Sequence, residues 1–189
     1  MLELQNLEAW RDDRCLYQAL SFTLRPGQVA QVLGPNGVGK TPLLKQVAGL
    51  SSLMAGDIRW QNLSVAADRQ RFQRDVLFLG HLAGIKSALT VAENLQILAA
   101  CRGTPLSDDR LATALIRVGL AGYDDTPVAQ LSAGQKRRVA LARLFTEAPL
   151  LWLLDEPFTA IDQAGVSELE GWLADHAEQG GMVLLTTHH

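Results

Sequence analysis

The sequence predicts an α/β fold with a mainly parallel sheet, on three observations. Apolar runs of β type alternate along the chain with longer helical stretches, and they are Val29–Leu33, Val76–Leu79, Leu150–Leu154 and Met182–Leu185. These runs are apolar throughout, which is typical of strands covered on both faces. Between about Leu89 and Glu147, helical pattern replaces the strand pattern. We therefore expect a helical subdomain inserted into the sheet.

The order of the elements indicates a single domain. Leu20–Leu24 has the pattern of an antiparallel strand, and the turn signal Arg25-Pro26-Gly27 leads from it into the first apolar run. We expect one domain over residues 1–189, with a core of about 1–88 and 148–189. The helical subdomain would span about 89–147, beginning near Thr90, where a threonine and Glu93 have the spacing of a capping box.

Bulk composition narrows the function classes. The chain has 189 residues, of which 48% are hydrophobic and 20% charged, which fits one ordinary globular core. Its net charge of -3 gives no electrostatic reason to expect a nucleic-acid partner. No apolar run reaches the length of about 18 residues that a membrane-spanning helix needs. The two cysteines, Cys15 and Cys101, are far apart and suit a reducing cytoplasm.

A glycine-rich loop after the first apolar run predicts a phosphate-binding site. Its glycines let the backbone amides curl around a phosphate, the lysine adds a positive charge, and the threonine offers a hydroxyl to Mg²⁺. The loop consists of Gly34, Pro35, Asn36, Gly37, Val38, Gly39, Lys40 and Thr41. This pattern predicts a P-loop NTPase with a RecA-like core, and by itself it fits a kinase, a GTPase or a helicase equally well.

Pro42 follows this loop, where the first helical turn would otherwise offer an amide to the α-phosphate. Proline lacks that donor but is tolerated in a first turn, although it biases Thr41 away from helical geometry. We expect the fold to survive and the affinity for nucleotide to be weakened.

Two further segments carry chemistry. Ser132 and Gln135 have the spacing of a capping box, which a helix start can show without any function beyond capping. The run Leu150–Leu154 ends in Asp155 and Glu156. A carboxylate at the carboxyl end of a parallel strand can hold the Mg²⁺ shell, and we expect Asp155 to do so beside Glu156, which would polarise the attacking water.

In this order the three segments resemble the ATP-binding subunits of ABC transporters. The middle one, Leu131-Ser132-Ala133-Gly134-Gln135, resembles the LSGGQ motif of that family with one departure, Ala133. The resemblance implies that ATP and Mg²⁺ are the cofactors. It also implies a homodimer, in which this segment contacts the ATP held by the other copy.

The resemblance implies roles for other residues. Thr159-Ala160-Ile161-Asp162 resembles the D-loop, so Asp162 would contact the partner, and His188 resembles the switch histidine that contacts the γ-phosphate. Trp10 would stack on adenine, with Tyr17 as the runner-up. His81 occupies the position of the Q-loop glutamine, where it would act on Mg²⁺ or be a structural histidine.

Within that family the chain looks most like the ATPases of cytochrome c maturation. The matching segments run along nearly the whole chain, and they include Gly80-His81, Gly84-Ile85-Lys86, Glu93-Asn94-Leu95, Leu131–Leu144 and Leu154–Asp162. Pro42 and the absence of the family's final helical elements after His189 are departures. The resemblance implies an ATPase bound peripherally to the cytoplasmic side of the bacterial inner membrane through integral subunits of the CcmB and CcmC type. Its role would be haem export or the release of a haem-loaded chaperone.

Three other classes of protein stay open. A soluble ABC ATPase acting on DNA or the ribosome would usually carry a coiled-coil insertion or a second cassette, and this sequence shows neither. An ATPase for another exported substrate, or a regulatory module that no longer hydrolyses ATP, would also fit, the latter because of Pro42, His81 and the early C-terminus.

Overall fold

The structure is a computed structural model that describes residues 1–80 and 84–187. The described strands are β1 (Leu2–Arg11), β2 (Arg14–Leu24), β3 (Val29–Val32), β4 (Ala55–Trp60), β5 (Leu63–Ser64), β6 (Val76–Leu79), β7 (Leu151–Asp155) and β8 (Met182–Thr186). The helices are α1 (Lys40–Val47), α2 (Arg69–Asp75), α3 (Val91–Cys101), α4 (Asp108–Arg117), α5 (Ala133–Thr146) and α6 (Gln163–Glu178), with a 3₁₀ turn at Val128–Gln130.

The parallel sheet has the strand order β3-β8-β7-β6. All four apolar runs predicted as strands are found in it, and β7 and β8 are buried along their whole length. The expectation of cover on both faces is wrong for β3, whose Val29 is 45% exposed. Since β3 lies at the end of the sheet, its Ala30 and Val32 pack against the core while Val29 and Gln31 face outward.

The side chains of the parallel strands alternate between two hydrophobic cores. Trp152 and Leu154 of β7 belong to a core shared with the helices α3, α4, α5 and α6. Leu151 and Leu153 of the same strand belong to a second core, shared with α1 and the antiparallel strands. Because successive side chains of a strand point to opposite faces, the sheet separates the two cores.

The antiparallel sheet has the order β2-β1-β4-β5 and covers the second core. The sequence indicated only Leu20–Leu24 of this sheet, which is the end of the longer strand β2. Register shifts interrupt the pairing of β1, and Asn6 lies in one of them with a φ of 50°. A Cβ at Gly56 would lie 2.3 Å from the Gln5 carbonyl oxygen, so only glycine lets β4 approach so closely here.

Side-chain caps fix the starts of several helices. Thr90 caps α3 in the predicted capping box with Glu93, and Ser107 caps α4. Asp162 accepts a hydrogen bond from the Gly165 amide at the start of α6. In the described ranges 1–80 and 84–187, none of the helices combines the length and apolar character needed to cross a bilayer.

Candidate nucleotide-binding site

The glycine-rich loop joins β3 to α1, which is the strand-loop-helix context that its pattern predicts. Lys40 is buried, and its ammonium group donates hydrogen bonds to the carbonyl oxygens of Gly34 and, over 3.2 Å, of Pro35. Gly39 has a φ of 110°, and a Cβ there would lie 3.0 Å from the Cβ of Leu16. Glycine is therefore required where the loop turns into α1.

Pro42 lies in the first turn of α1, which forms despite it. The Leu43 amide donates to the Gly39 carbonyl over 2.9 Å, so the helix is closed around the proline. Thr41 is helical, and the expected bias away from helical geometry does not exclude it from α1. The amide that Pro42 lacks belongs to the first turn, where helical amides have no partner within the helix.

A buried network joins the loop to the end of β7. The Thr41 hydroxyl donates to Oδ2 of Asp155 over 2.8 Å, and the Thr186 hydroxyl donates to Oδ1 over 2.7 Å. Asp155 is 2% exposed and Thr186 is fully buried. The parallel register of β7 and β8 pairs these two residues directly. The structure thus brings together both residues predicted to face Mg²⁺.

Glu156 follows the strand in an unusual backbone conformation. Its φ is 52°, a region that is strained by about 1–3 kcal/mol for a residue other than glycine and is concentrated at functional sites. Its amide donates to the Thr186 hydroxyl over 2.9 Å, and its carbonyl accepts from Arg137 over 3.0 Å. Glu156 lines a cavity of about 370 Å³ together with Gln31, Thr186 and Thr187.

Two aromatic residues were predicted near adenine, and the structure places them differently. Tyr17 lies against the loop, and its ring is so near that a Cβ at Gly39 would be 3.2 Å from it. Tyr17 also lines an apolar cavity of about 360 Å³ beside Lys40. Burial raises the pKa of Tyr17 to about 12, and its hydroxyl donates to Gln46. Trp10 is 42% exposed at the tip of the β1–β2 hairpin, where its indole donates to Glu8 over 2.5 Å.

The segment before α5 presents its first residues to the surface. Leu131 is buried and anchors the segment, whereas Ser132 and Ala133 are exposed. The Ser132 hydroxyl accepts from the Gln135 amide over 3.2 Å, and the Gln135 side chain accepts in return from the Ser132 amide over 2.9 Å. A Cβ at Gly134 would lie 3.5 Å from the Ala160 carbonyl, so this helix start lies beside the segment that leads to Asp162.

The Asp162 side chain has partners in its own chain. Besides capping α6, one carboxylate oxygen lies 3.8 Å from an Arg138 nitrogen, and the side chain is 75% exposed. The Asp162 side chain, which is predicted to contact a partner subunit, is therefore accessible at the surface. His81 and His188, predicted as the Q-loop position and the switch histidine, lie outside the described residues.

Two residues of this site were not predicted from the sequence. Thr186 follows the predicted end of the last strand by one residue, and its place beside Asp155 depends on the pairing of parallel strands. Arg137 is buried between Glu156 and Gly80. Burial lowers the pKa of its guanidinium, while the carboxylates of Asp155 and Glu156 act in the opposite direction. A basic residue two positions after Gln135 was the available signal.

The fold and the site define an ATP-binding domain of the ABC class. The family model described as ABC transporter matches residues 17–159. Among solved structures, the whole chain superposes with a TM-score of 0.87 on an ABC transporter ATP-binding protein from Pyrococcus furiosus, at 23% identity over 91% of that chain. It also superposes with a TM-score of 0.81 on cbiO1 of Clostridium perfringens, at 27% identity over 78% of that chain.

Curated relatives narrow the assignment. The "Cytochrome c biogenesis ATP-binding export protein CcmA" of Vibrio cholerae is 52% identical over 188 residues, covering 100% of this chain and 91% of the relative. The protein of the same name from Yersinia pestis is also 52% identical, over 86% of its length. The chain belongs to the ABC transporter family and, within it, to the CcmA ATPases.

Proposed function

We propose that this ATPase is the ATP-hydrolysing subunit of an export complex for cytochrome c biogenesis, in which two copies enclose two molecules of Mg-ATP. It would bind peripherally to integral subunits of the CcmB and CcmC type on the cytoplasmic side of the inner membrane. Haem export, or the release of a haem-loaded chaperone, is the work that hydrolysis would drive. The names of the relatives in Vibrio and Yersinia support the pathway.

The arrangement around Asp155 carries the catalytic part of the proposal. Carboxylate and hydroxyl oxygens are hard ligands of the kind that Mg²⁺ takes, together with waters and phosphate oxygens, and Thr41 and Asp155 supply one of each at contact distance. They would hold the ion, which when bound neutralises charge on the β- and γ-phosphates. Lys40 would leave the loop carbonyls of Gly34 and Pro35 for the phosphates.

The surroundings of Glu156 support its proposed role in hydrolysis. Because Asp155 is buried and held by two hydroxyls, it is suited to a fixed ligand role. Glu156 is half-buried and lines a cavity, so its carboxylate can reach a water. General-base catalysis is worth roughly 10² to 10⁴ in rate. Glu156→Gln should therefore bind ATP and hydrolyse it at least about 100-fold more slowly.

The start of α5 supports the dimer. An exposed serine hydroxyl at a helix start and the positive end of the helix dipole form a site suited to a phosphate. Ser132 and Ala133 are on the surface, where the ATP of a second copy could reach them. Leu131–Gln135, with Asp162 nearby, would then complete the site around nucleotide bound to Gly34–Thr41 of the partner.

The segment Gly84–Lys86 is the proposed contact with the membrane subunits. The Asn94 side chain accepts from the Lys86 amide over 2.7 Å and donates to the Lys86 carbonyl over 3.0 Å, which fastens this segment to α3. Gly84 and Lys86 are exposed and Ile85 is half-buried. Substituting Ile85 or Lys86 should impair assembly with the membrane subunits more than basal ATPase.

The deciding experiment compares two serines with the same structural role. Ser132 and Ser107 both cap a helix, so replacing either with alanine should cost about 1 kcal/mol of stability. Only Ser132→Ala should reduce ATPase and weaken the ATP-dependent dimer of the Glu156→Gln protein, measured by light scattering. If both substitutions changed ATPase and dimerisation equally, the proposed enclosure of ATP between two copies would be contradicted.

Co-purification with the integral subunits tests the assignment to a membrane complex. We expect the ATPase to associate with candidate membrane chains of the CcmB and CcmC type in detergent, and its turnover to change on association. Turnover absent with and without those chains would instead support the regulatory module. A folded, active ATPase that does not bind them would favour another exporter.

A further inference from the structure

A buried guanidinium connects three elements beside the candidate site. Arg137 lies in the first half of α5 and is 8% exposed. One of its terminal nitrogens donates to the Gly80 carbonyl, at the end of β6, over 3.3 Å. The other donates to the Glu156 carbonyl, just after β7, over 3.0 Å. The first half of α5 is thus tied directly to the ends of two neighbouring parallel strands, β6 and β7.

The chemistry of arginine suits this connection. A planar guanidinium presents several donors in a fixed fork, whereas the ammonium group of lysine is a single point charge. Burying a charge is costly unless it is paired and hydrogen-bonded, and Nε of Arg137 is buried without a hydrogen-bond partner in the described structure. A residue that is unfavourable to bury and only partly satisfied is expected to serve the site.

Arg137 acts on the part of Glu156 that is strained. The left-handed backbone at Glu156 is gripped from both sides, since Thr186 accepts its amide and Arg137 donates to its carbonyl. The direction of the Glu156 side chain depends on this backbone conformation. A shift of Arg137 would therefore reorient the carboxylate.

We propose that Arg137 is a positioning residue that couples the contact made by Ser132 with the partner's ATP to the alignment of Glu156 at the chain's own ATP. The inference rests on the proposed function, in which Glu156 activates water and Ser132 meets the nucleotide of the second copy. Ser132 and Arg137 belong to the capped first turns of one helix, so they move together. Each half of the dimer then reports the occupancy of one site to the catalytic carboxylate of the other, which makes hydrolysis cooperative in ATP.

The test is steady-state ATPase of Arg137→Lys as a function of ATP concentration. We expect kcat to fall by about 10- to 100-fold, because small misplacements of a catalytic group have effects of that size. The KM for ATP should stay within about twofold, since the phosphate loop is untouched. The cooperativity in ATP that we expect of the unmodified protein should be lost.

Arg110→Lys is the matched control. Arg110 also donates from a guanidinium to a backbone carbonyl, that of Thr146 over 3.1 Å at the other end of α5. Its replacement should leave kcat, KM and cooperativity unchanged. Rates are expressed per nucleotide-occupied site, so that a merely destabilised protein is recognised by normal turnover of its folded fraction.

The outcomes separate the two proposals. If Glu156→Gln retains turnover, the proposed function is wrong. If Glu156→Gln is inactive while Arg137→Lys keeps normal kcat and cooperativity per occupied site, the role of Arg137 is wrong and the function stands. Should Arg137→Lys not fold, Arg137→Gln, which removes the buried charge and keeps an amide donor, is measured in the same way. Failure of both to fold would make Arg137 a folding residue and overturn the inference.

Discussion

Replacing Thr186 with valine removes a single hydroxyl from the network around Asp155 while keeping the shape of the side chain. That hydroxyl donates to the Asp155 carboxylate over 2.7 Å and accepts from the Glu156 amide over 2.9 Å, and Thr186 is fully buried. A hydrogen bond to a charged group contributes about 1.5–3 kcal/mol and a neutral one about 1 kcal/mol. We expect Thr186→Val to lower the free energy of unfolding by about 2.5–4 kcal/mol.

Urea unfolding followed by circular dichroism measures this loss, which corresponds to a decrease of roughly 5–15 °C in Tm for a domain of this size. Thr186→Ser is the control, because it keeps the hydroxyl and deletes only a methyl group. The same pair should differ in ATPase, since Glu156 loses the partner of its amide only in the valine variant. A destabilisation below about 1 kcal/mol, or serine behaving like valine, would refute the network as described.

Three further predictions concern other parts of the chain. Pro42→Thr restores an amide donor and should tighten ATP binding by about tenfold, measured with a fluorescent ATP analogue; an unchanged Kd would contradict the role given to the proline. Trp10→Ala should weaken ATP binding by about fivefold, because stacking on adenine is lost. If Tyr17→Ala weakens binding and Trp10→Ala does not, the prediction is wrong. Burial lowers the pKa of His176 below its ordinary value of 6.5, although a hydrogen bond to the Leu150 carbonyl acts against this. Its contribution to stability is therefore complete above pH 6.5 and is lost as the pH falls through the folded pKa, so the urea midpoint should fall in acid less steeply for His176→Gln than for the unmodified chain.

The parallel strands could be predicted because they are buried and uniformly apolar. Val76–Leu79 is found as predicted, and the other three strands differ from their predicted ranges by one residue at one end or at each end. The antiparallel strands gave a weaker pattern, since register shifts interrupt the alternation in β1. In β4, glycine is required at position 56 because the Gln5 backbone lies so close, and no local sequence pattern reveals this contact.

The site could be predicted where chemistry is encoded in consecutive residues. The phosphate loop and the pair Asp155–Glu156 each lie in one short segment, as does the capping box of Ser132. Thr186 and Arg137 both contact Glu156 from distant parts of the sequence. Thr186 lies 30 residues from Glu156, and Arg137 lies 19 residues from it. Such contacts follow from strand order and helix placement, so they became visible only in the folded chain.

Side chains alternate along β7, so neighbouring residues of this strand pack into different hydrophobic cores. Leu153 packs toward α1, and Leu154 packs toward the helices α3–α6. Replacing Leu153 with alanine would loosen the support of α1, whereas the same replacement at Leu154 would loosen the support of the helices α3–α6. Substitutions at adjacent positions of β7 can thus change the packing on one face of the parallel sheet while the packing on the other face is kept.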